Sequence, residues 1–241
     1  MHTPGGFMNF AVILAGGTGT RMGQSIPKQY LEVEGKPVLV YTLEKFQACE
    51  AIHQIVIVAD MVWHEQIRQW LDQYGITKFL GFAEPGVNRQ DSVYSGLCYC
   101  RPYAHSEEDI VLIHEAARAL VSQRLIHKII DGLAGYDACI PVIPMNDSIL
   151  FSKTGDTIDG LLDRSTMFRG QAPESFRLIP YYELNRKTPP TELSSYRADH
   201  ELCFQKKWKV HCIPGEDNNF KLTTPGDIDQ MITLIQSGKL K

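Results

Sequence analysis

The chain has 241 residues, 44% of them apolar, and a net charge of −4 from 24 Lys+Arg against 28 Asp+Glu. That composition excludes a disordered or repetitive chain and suffices for one full core, and no stretch approaches the ~18 uninterrupted apolar residues that would span a bilayer. A mildly acidic chain with no Lys/Arg block argues against nucleic acid and membrane partners, whereas a small anion needs only a local basic pocket.

Met1–Phe10 has neither the basic region nor the apolar core of a signal peptide, and Met8 is expected as the natural start. Phe10–Leu14 reads as a buried strand running into the glycine-rich Ala15–Gly23. Pro37 to Cys49 carries Val38, Leu39, Leu43 and Phe46 at helical spacing, with Pro37 suited to a first turn. Gln54–Ala59 predicts a second strand, Val62–Tyr74 a helix with Ile67, Trp70 and Leu71 inward, and Lys78–Phe82 a third strand. A helix over Asp91–Cys100, a strand over Asp109–Ile113, a helix over Gln123–Leu133 and a β-rich Ala138–Ile143 follow. Strands alternating with helices imply parallel crossovers, hence an α/β, doubly wound, mostly parallel twisted sheet whose ligands bind beyond the carboxyl ends of the strands.

From Asn146 to Gln171 the pattern changes to two short apolar stretches around Lys153–Asp156, which predicts an inserted hairpin, a protruding β-arm. Helical patterning is expected to resume after Pro173 and to break over Lys187–Ser194; a strand at Lys209–Ile213 and a helix after Pro225 complete the chain. No linker is visible, so residues 1–241 read as one domain carrying the arm at 146–171. Cys49, Cys98, Cys100, Cys139, Cys203 and Cys212 form no CxxC pair and read as buried free thiols of a cytoplasmic protein.

The strongest local signal is Leu14-Ala-Gly-Gly-Thr-Gly-Thr-Arg-Met-Gly23, followed by Pro27-Lys28-Gln29. Glycines after a strand let backbone N–H groups approach phosphate oxygens, and Arg21 and Lys28 add two cations that can bracket a triphosphate. The spacing is GxGxxxG rather than the dinucleotide GxGxxG, and Gly23 is followed by Gln24 rather than by the Lys-Ser/Thr of a P-loop.

These residues resemble the opening of the cytidylyltransferases that make CDP-polyols, the 2-C-methyl-D-erythritol 4-phosphate and ribitol 5-phosphate cytidylyltransferases. The resemblance covers nearly the whole chain: Asn88–Gly96, Val111–Arg118, Pro141–Asp147, Asp163-Arg164 through Pro173, and Asn219–Thr224 follow in the family's order. It implies a Rossmann-like nucleotidyltransferase that transfers CMP from CTP to a polyol phosphate with release of pyrophosphate, with Mg²⁺ as cofactor. By the same resemblance, Arg21, Lys28 and Lys221 stabilise the phosphate charge, Ala15, Gly16, Gly17 and Gly19 cradle the nucleotide, and Gly86, Arg89 and Ser92 hold base and ribose. Asp91–Ser92 also reads as a helix cap. Glu115 and Arg118 are expected at the acceptor, Glu115 also as a metal ligand, and His114 as a loop anchor. Asp147, Ser148 and Arg164 form the acceptor clamp on an arm that crosses a homodimer interface. Asp199 lies near a family acidic position, but its surroundings depart from the usual pattern.

Glu115, Ala119 and Ala172 replace the family's usual Asp, Pro and Thr, which leaves open a weakly active paralogue kept for binding. Arg89-Gln-Asp-Ser-Val and His114-Glu-Ala-Ala-Arg lean towards methylerythritol phosphate as acceptor. Gly16-Gly17, Met167–Gln171 and Gly215-Glu216 lean towards ribitol phosphate.

Overall fold

The apolar runs become strands buried on both faces. The computed structural model describes residues 6–17 and 26–238. In chain order the elements are β1 (Asn9–Leu14), β2 (Glu32–Val33), β3 (Lys36–Pro37), α1 (Val38–Ala48), β4 (Gln54–Val58), α2 (His64–Gln73), β5 (Phe79–Ala83), α3 (Arg89–Cys100), β6 (Ile110–Glu115) and α4 (Gln123–Asp131). Then come β7 (Ala138–Pro144), β8 (Ile149–Phe151), β9 (Gly160–Leu162), β10 (Phe168–Gly170), β11 (Glu174–Arg177), α5 (Leu178–Lys187), α6 (Pro190–Leu193), α7 (Asp199–Gln205), β12 (Val210–Pro214) and α8 (Pro225–Gln236).

Alternate residues of β1 define the two layers. Ala11 and Ile13 join Leu39, Leu43 and Phe46 of α1, Ile67 of α2 and Leu125, Ile126 and Ile129 of α4 in one apolar cluster. Phe10 and Val12 join Val93 and Leu97 of α3, Leu178 and Tyr181 of α5 and Leu202 of α7 in the other. Helices on both faces of one sheet are the doubly wound arrangement that the βα alternation predicts. Each such side chain, fully buried, contributes on the order of 2 kcal/mol of transfer free energy, so both faces are driven to stay covered.

The strand order is β5-β4-β1-β6-β11-β7, and β12 pairs β7. Strand β1 is parallel to β4 and β6, β4 to β5, and β7 to β12. Strand β11 is antiparallel to both β6 and β7, which makes β7 run with β6. The carboxyl ends of β1, β4, β5, β6, β7 and β12 therefore share one edge. Val142 pairs with Gly170 of β10 and with Pro214 of β12, and Cys139 with Ser175 of β11 and with His211 of β12. Hence β10 and β11 line one side of β7 and β12 the other.

Several expectations need correction. The segment after Pro173 is a strand, β11, before helix α5 begins; four residues starting with a Glu show no period to read. The gap over 187–194 holds the short α6. Helix α3 starts at Arg89 and its cap is Asn88, whose side chain accepts from Asp91 N at 2.9 Å; Asp91–Ser92 is not the cap. Hairpin β2–β3 is an element beyond those the sequence pattern predicts: Glu34 and Gly35 both take positive φ, as a two-residue primed turn requires. Cys98 and Cys212 are exposed, while the other four cysteines are buried.

Strands β8 and β9 pair only with each other, Ile149↔Leu162 to Phe151↔Gly160, and form a hairpin apart from the main sheet within the stretch 146–171 expected as an arm, whereas β10 at the end of that stretch joins the main sheet beside β7. Leu150, Phe151, Ile158, Leu161, Leu162 and Phe168 on this segment are exposed, Leu161 to 75%. Among the described residues no helix is long and apolar enough to cross a membrane.

Candidate active site

The site grows from the shared carboxyl edge. Leu14 and Glu115 are register partners at the ends of β1 and β6, and Ala116 N donates to Leu14 O at 3.0 Å. The glycine loop and the His114–Arg118 turn thus leave neighbouring strands side by side.

Glu115 is held between two cations. Lys221 Nζ lies 2.6 Å from Oε1 and Arg118 Nε 2.9 Å from Oε2. Burial alone would raise the Glu115 carboxyl, but Lys221 and then Arg118 outweigh it and hold it down to about 2. Arg118 Nη1 also donates to Asn219 O at 2.9 Å. Asn219 is itself buried and donates to Ala172 O at 2.7 Å, and Gln171 Nε2 donates to the carbonyls of Glu216 and Asn219. This web carries the chain after β12 to the end of β6, which is how Lys221, 106 positions from Glu115, reaches it.

His114 anchors the turn as expected: it is buried and its Nε2 faces Arg118 O at 3.1 Å. Burial lowers its pKa to about 4, so the ring is neutral and Nε2 is the donor.

On the nucleotide side Ala15, Gly16 and Gly17 lie in the loop after β1; Gly19 and Arg21 fall outside the described residues. Lys28 lies on a single 3-10 turn, Lys28–Tyr30. Gly16 and Gly86 are glycines because of close approach: a Cβ on Gly16 would overlap the Pro85 ring, and one on Gly86 would overlap Asp91 and lie 2.8 Å from its carbonyl carbon. Ser92 Oγ accepts from Gly86 N at 3.0 Å and donates to Asn88 O at 2.9 Å, closing the loop between β5 and α3.

Arg89, expected at base and ribose, has its guanidinium engaged elsewhere. Its Nη2 lies 2.6 Å from Asp199, a carboxylate with no exposed surface, and its Nη1 donates to Gln90 Oε1 at 3.0 Å. Tyr181 OH donates to the other Asp199 oxygen. Nearby, buried Glu174 faces His200 Nδ1 at 3.2 Å; burial raises the Glu174 carboxyl, and Glu174 in turn raises His200 against the lowering effect of burial. Arg89 is therefore a strut between α3 and α7. Asp199, given little weight in the sequence, is the carboxylate that holds it.

Glu115 does not fit a resident metal. Both oxygens are taken by cations, and among the described residues no three His, Cys, Asp or Glu side chains gather to hold an ion.

On the arm, Arg164 Nη1 donates to Asn146 O at 2.7 Å, which brings Arg164 to the stretch holding Asp147 and Ser148 at the hairpin's base. All three are exposed, and none hydrogen-bonds to Glu115, Arg118 or Lys221.

Comparison with known proteins agrees with this geometry. The family model of 2-C-methyl-D-erythritol 4-phosphate cytidylyltransferase (IspD) matches residues 9–236. A protein of that name from Rubrobacter xylanophilus is 37% identical over 90% of each chain. A ribitol-5-phosphate cytidylyltransferase from Lactiplantibacillus plantarum is 30% identical over 95% of this chain and 99% of its own. The solved 4-diphosphocytidyl-2C-methyl-D-erythritol synthase from Anaerococcus prevotii shares the fold, with a TM-score of 0.78 at 24% identity over 95% of this chain and 96% of its own. The chain belongs to the 2-C-methyl-D-erythritol 4-phosphate cytidylyltransferase family and is a nucleotidyltransferase.

Proposed function

We propose that the protein transfers CMP from CTP to 2-C-methyl-D-erythritol 4-phosphate and releases pyrophosphate. The observation that carries this is the register pair Leu14–Glu115, which sets the glycine loop beside the Lys221–Glu115–Arg118 triad. In the reaction a phosphate monoester oxygen of the acceptor attacks the α-phosphorus, and the bond to pyrophosphate breaks. A phosphate monoester is already a competent nucleophile, so alignment and charge stabilisation carry the catalysis.

In this reading Ala15, Gly16, Gly17 and Gly19 receive the nucleotide, and Gly86 and Ser92 shape the loop against which base and ribose lie. Arg21, Lys28 and Lys221 offset charge growing on the α-phosphate and the leaving group. An ammonium has three donors and Glu115 uses one of those on Lys221. Glu115 fixes both Lys221 and Arg118 at the acceptor. Magnesium, the expected cofactor, would be held chiefly by the oxygens of the triphosphate, whose charge it would offset.

The acceptor site is completed by a second copy: Ser148 and Arg164 stand on an arm with six exposed apolar side chains, which a homodimer would cover. Six free thiols support a reducing cytoplasm as the compartment. Ribitol 5-phosphate is the second reading, favoured by ribitol-5-phosphate cytidylyltransferases at 30% and 31% identity. Pyrophosphate release from CTP with the two acceptors decides. The account expects the higher kcat/KM with methylerythritol phosphate; the reverse order assigns ribitol phosphate, and release with neither overturns the activity.

A further inference from the structure

We propose that Gln29 is the positioning residue of the glycine loop: its buried side-chain amide holds the Ala15 and Gly17 carbonyls together and ties the loop to Lys28. Gln29 is 4% exposed, and its Nε2 donates to Ala15 O at 2.6 Å and to Gly17 O at 2.8 Å. Both partners are carbonyls, so the NH₂ end must face them, and both of its hydrogens are used. Tyr30 OH donates to the same Ala15 oxygen at 2.9 Å, filling its second lone pair. Burial pushes the Tyr30 phenol well above its usual range, which keeps the proton on that donor. The Tyr30 ring stacks on Trp63 at 4.2 Å, so the turn bearing the clamp is itself fixed.

The consequence follows from peptide planarity. In a trans peptide the carbonyl and the next N–H point in opposite directions. Turning the Ala15 carbonyl towards Gln29 leaves the Gly16 N–H on the far side, free of the carbonyl dipole that would repel a polyphosphate. Two acceptors are satisfied away from the ligand face, and Gln29 is the next residue after Lys28. One amide thus sets the loop backbone and the cation beside it in a common frame. The inference deepens the cytidylyltransferase reading and rests on it for the identity of the anion.

The test compares wild type with Gln29→Ala, Gln29→Glu and Tyr30→Phe, reading kcat and KM for each substrate and Tm. Gln29→Ala should lower kcat/KM for CTP by roughly 10–100-fold, the scale of a misplaced catalytic frame, while KM for the acceptor and Tm change little. Tyr30→Phe removes one donor to Ala15 O but keeps the amide, so its loss should be smaller than that of Gln29→Ala; an equal or larger loss would place the clamp on Tyr30 and overturn the assignment to Gln29. Gln29→Glu sets a carboxylate against two carbonyls, which favours its neutral form and raises its pKa. On protonation it regains one donor, so its activity relative to wild type should climb as pH falls from about 8 to about 5.5. A purely structural residue would instead lose activity in parallel with Tm, with a relative rate independent of pH. That pattern, or a Gln29→Ala enzyme within threefold of wild type, overturns the clamp. If Gln29→Ala does not fold, the pH dependence of Gln29→Glu decides alone. Absence of wild-type turnover overturns the reading beneath the clamp, not the clamp's geometry.

Discussion

Around the glycine loop the protein answers its own polar groups: Gln29 and Tyr30 take the Ala15 and Gly17 carbonyls, and Gly16 and Gly86 leave no space for a side chain. Along residues 150–168 the opposite holds, with six large apolar side chains facing solvent and a hairpin pairing only with itself. A two-stranded hairpin alone is marginal in water, and an exposed apolar patch marks an interaction surface. The difference teaches why the proposed activity needs a second copy: the nucleotide half satisfies its own polar groups, whereas the arm that carries Ser148 and Arg164 leaves apolar surface that another chain would cover.

The largest effect should come from the nucleotide half. Lys28→Ala removes a charge whose stabilisation grows towards the transition state, so kcat should fall by roughly 10²–10³, the scale for losing one preorganised stabiliser. Arg21→Ala should behave alike. A raised KM for CTP with unchanged kcat would mean that these cations bind ground and transition states equally.

The arm should break differently. Leu150→Asp with Leu161→Asp places two carboxylates on one face of the hairpin, where the two are register partners, each costing several kcal/mol if desolvated in an interface. Sedimentation should then show monomers, and activity should drop more than tenfold, while Tm of the monomer stays near that of wild type. An unchanged dimer would locate the interface elsewhere.

The smallest effect concerns stability at the Glu115 triad. The folded pKa of Glu115, about 2, lies below its ordinary 4.5, so its stabilisation is full above 4.5 and lost as pH falls towards 2. The shift corresponds to about 2–3 kcal/mol once the part-exposed Lys221 is discounted for screening. Glu115→Gln should remove that acid-dependent loss. It should leave the loss between about 6.5 and 4, which belongs to buried His114, lowered to about 4 and therefore destabilising as pH drops through that window. Chemical denaturation against pH separates the two; an unaltered slope between 4.5 and 2 in Glu115→Gln would contradict the triad.

Most strands were legible because a strand buried on both faces is a continuous apolar run, as in Asn9–Leu14 and Ile110–Glu115. The glycine loop, Lys28, Glu115 and Lys221 were legible because the resemblance names them and local residue types fit the chemistry. Strand β11 was not, since its first residue is Glu174, buried against His200 from α7, a contact no local pattern announces. The Arg89–Asp199 pair joins positions 110 apart, and no local pattern announces that the guanidinium expected at base and ribose is held by a buried carboxylate. Gln29 stands in the Pro27-Lys28-Gln29 run, yet an amide declares its partners only in three dimensions. Hairpin β2–β3 carried a readable Glu34-Gly35 turn, but with two residues per strand it had no alternation to expose it.

The claim that each site is shared is tested by mixing two inactive homodimers, Arg21→Ala and Arg164→Ala, under conditions where subunit exchange is shown by a tagged chain. If the arm of one chain completes the site of the other, a mixed dimer has one site with both defects and one with neither. Pyrophosphate release should then return to about a quarter of the wild-type rate, because about half of the dimers are mixed and each has one intact site. If each site were built within one chain, every site would keep one defect, and no activity would return despite exchange.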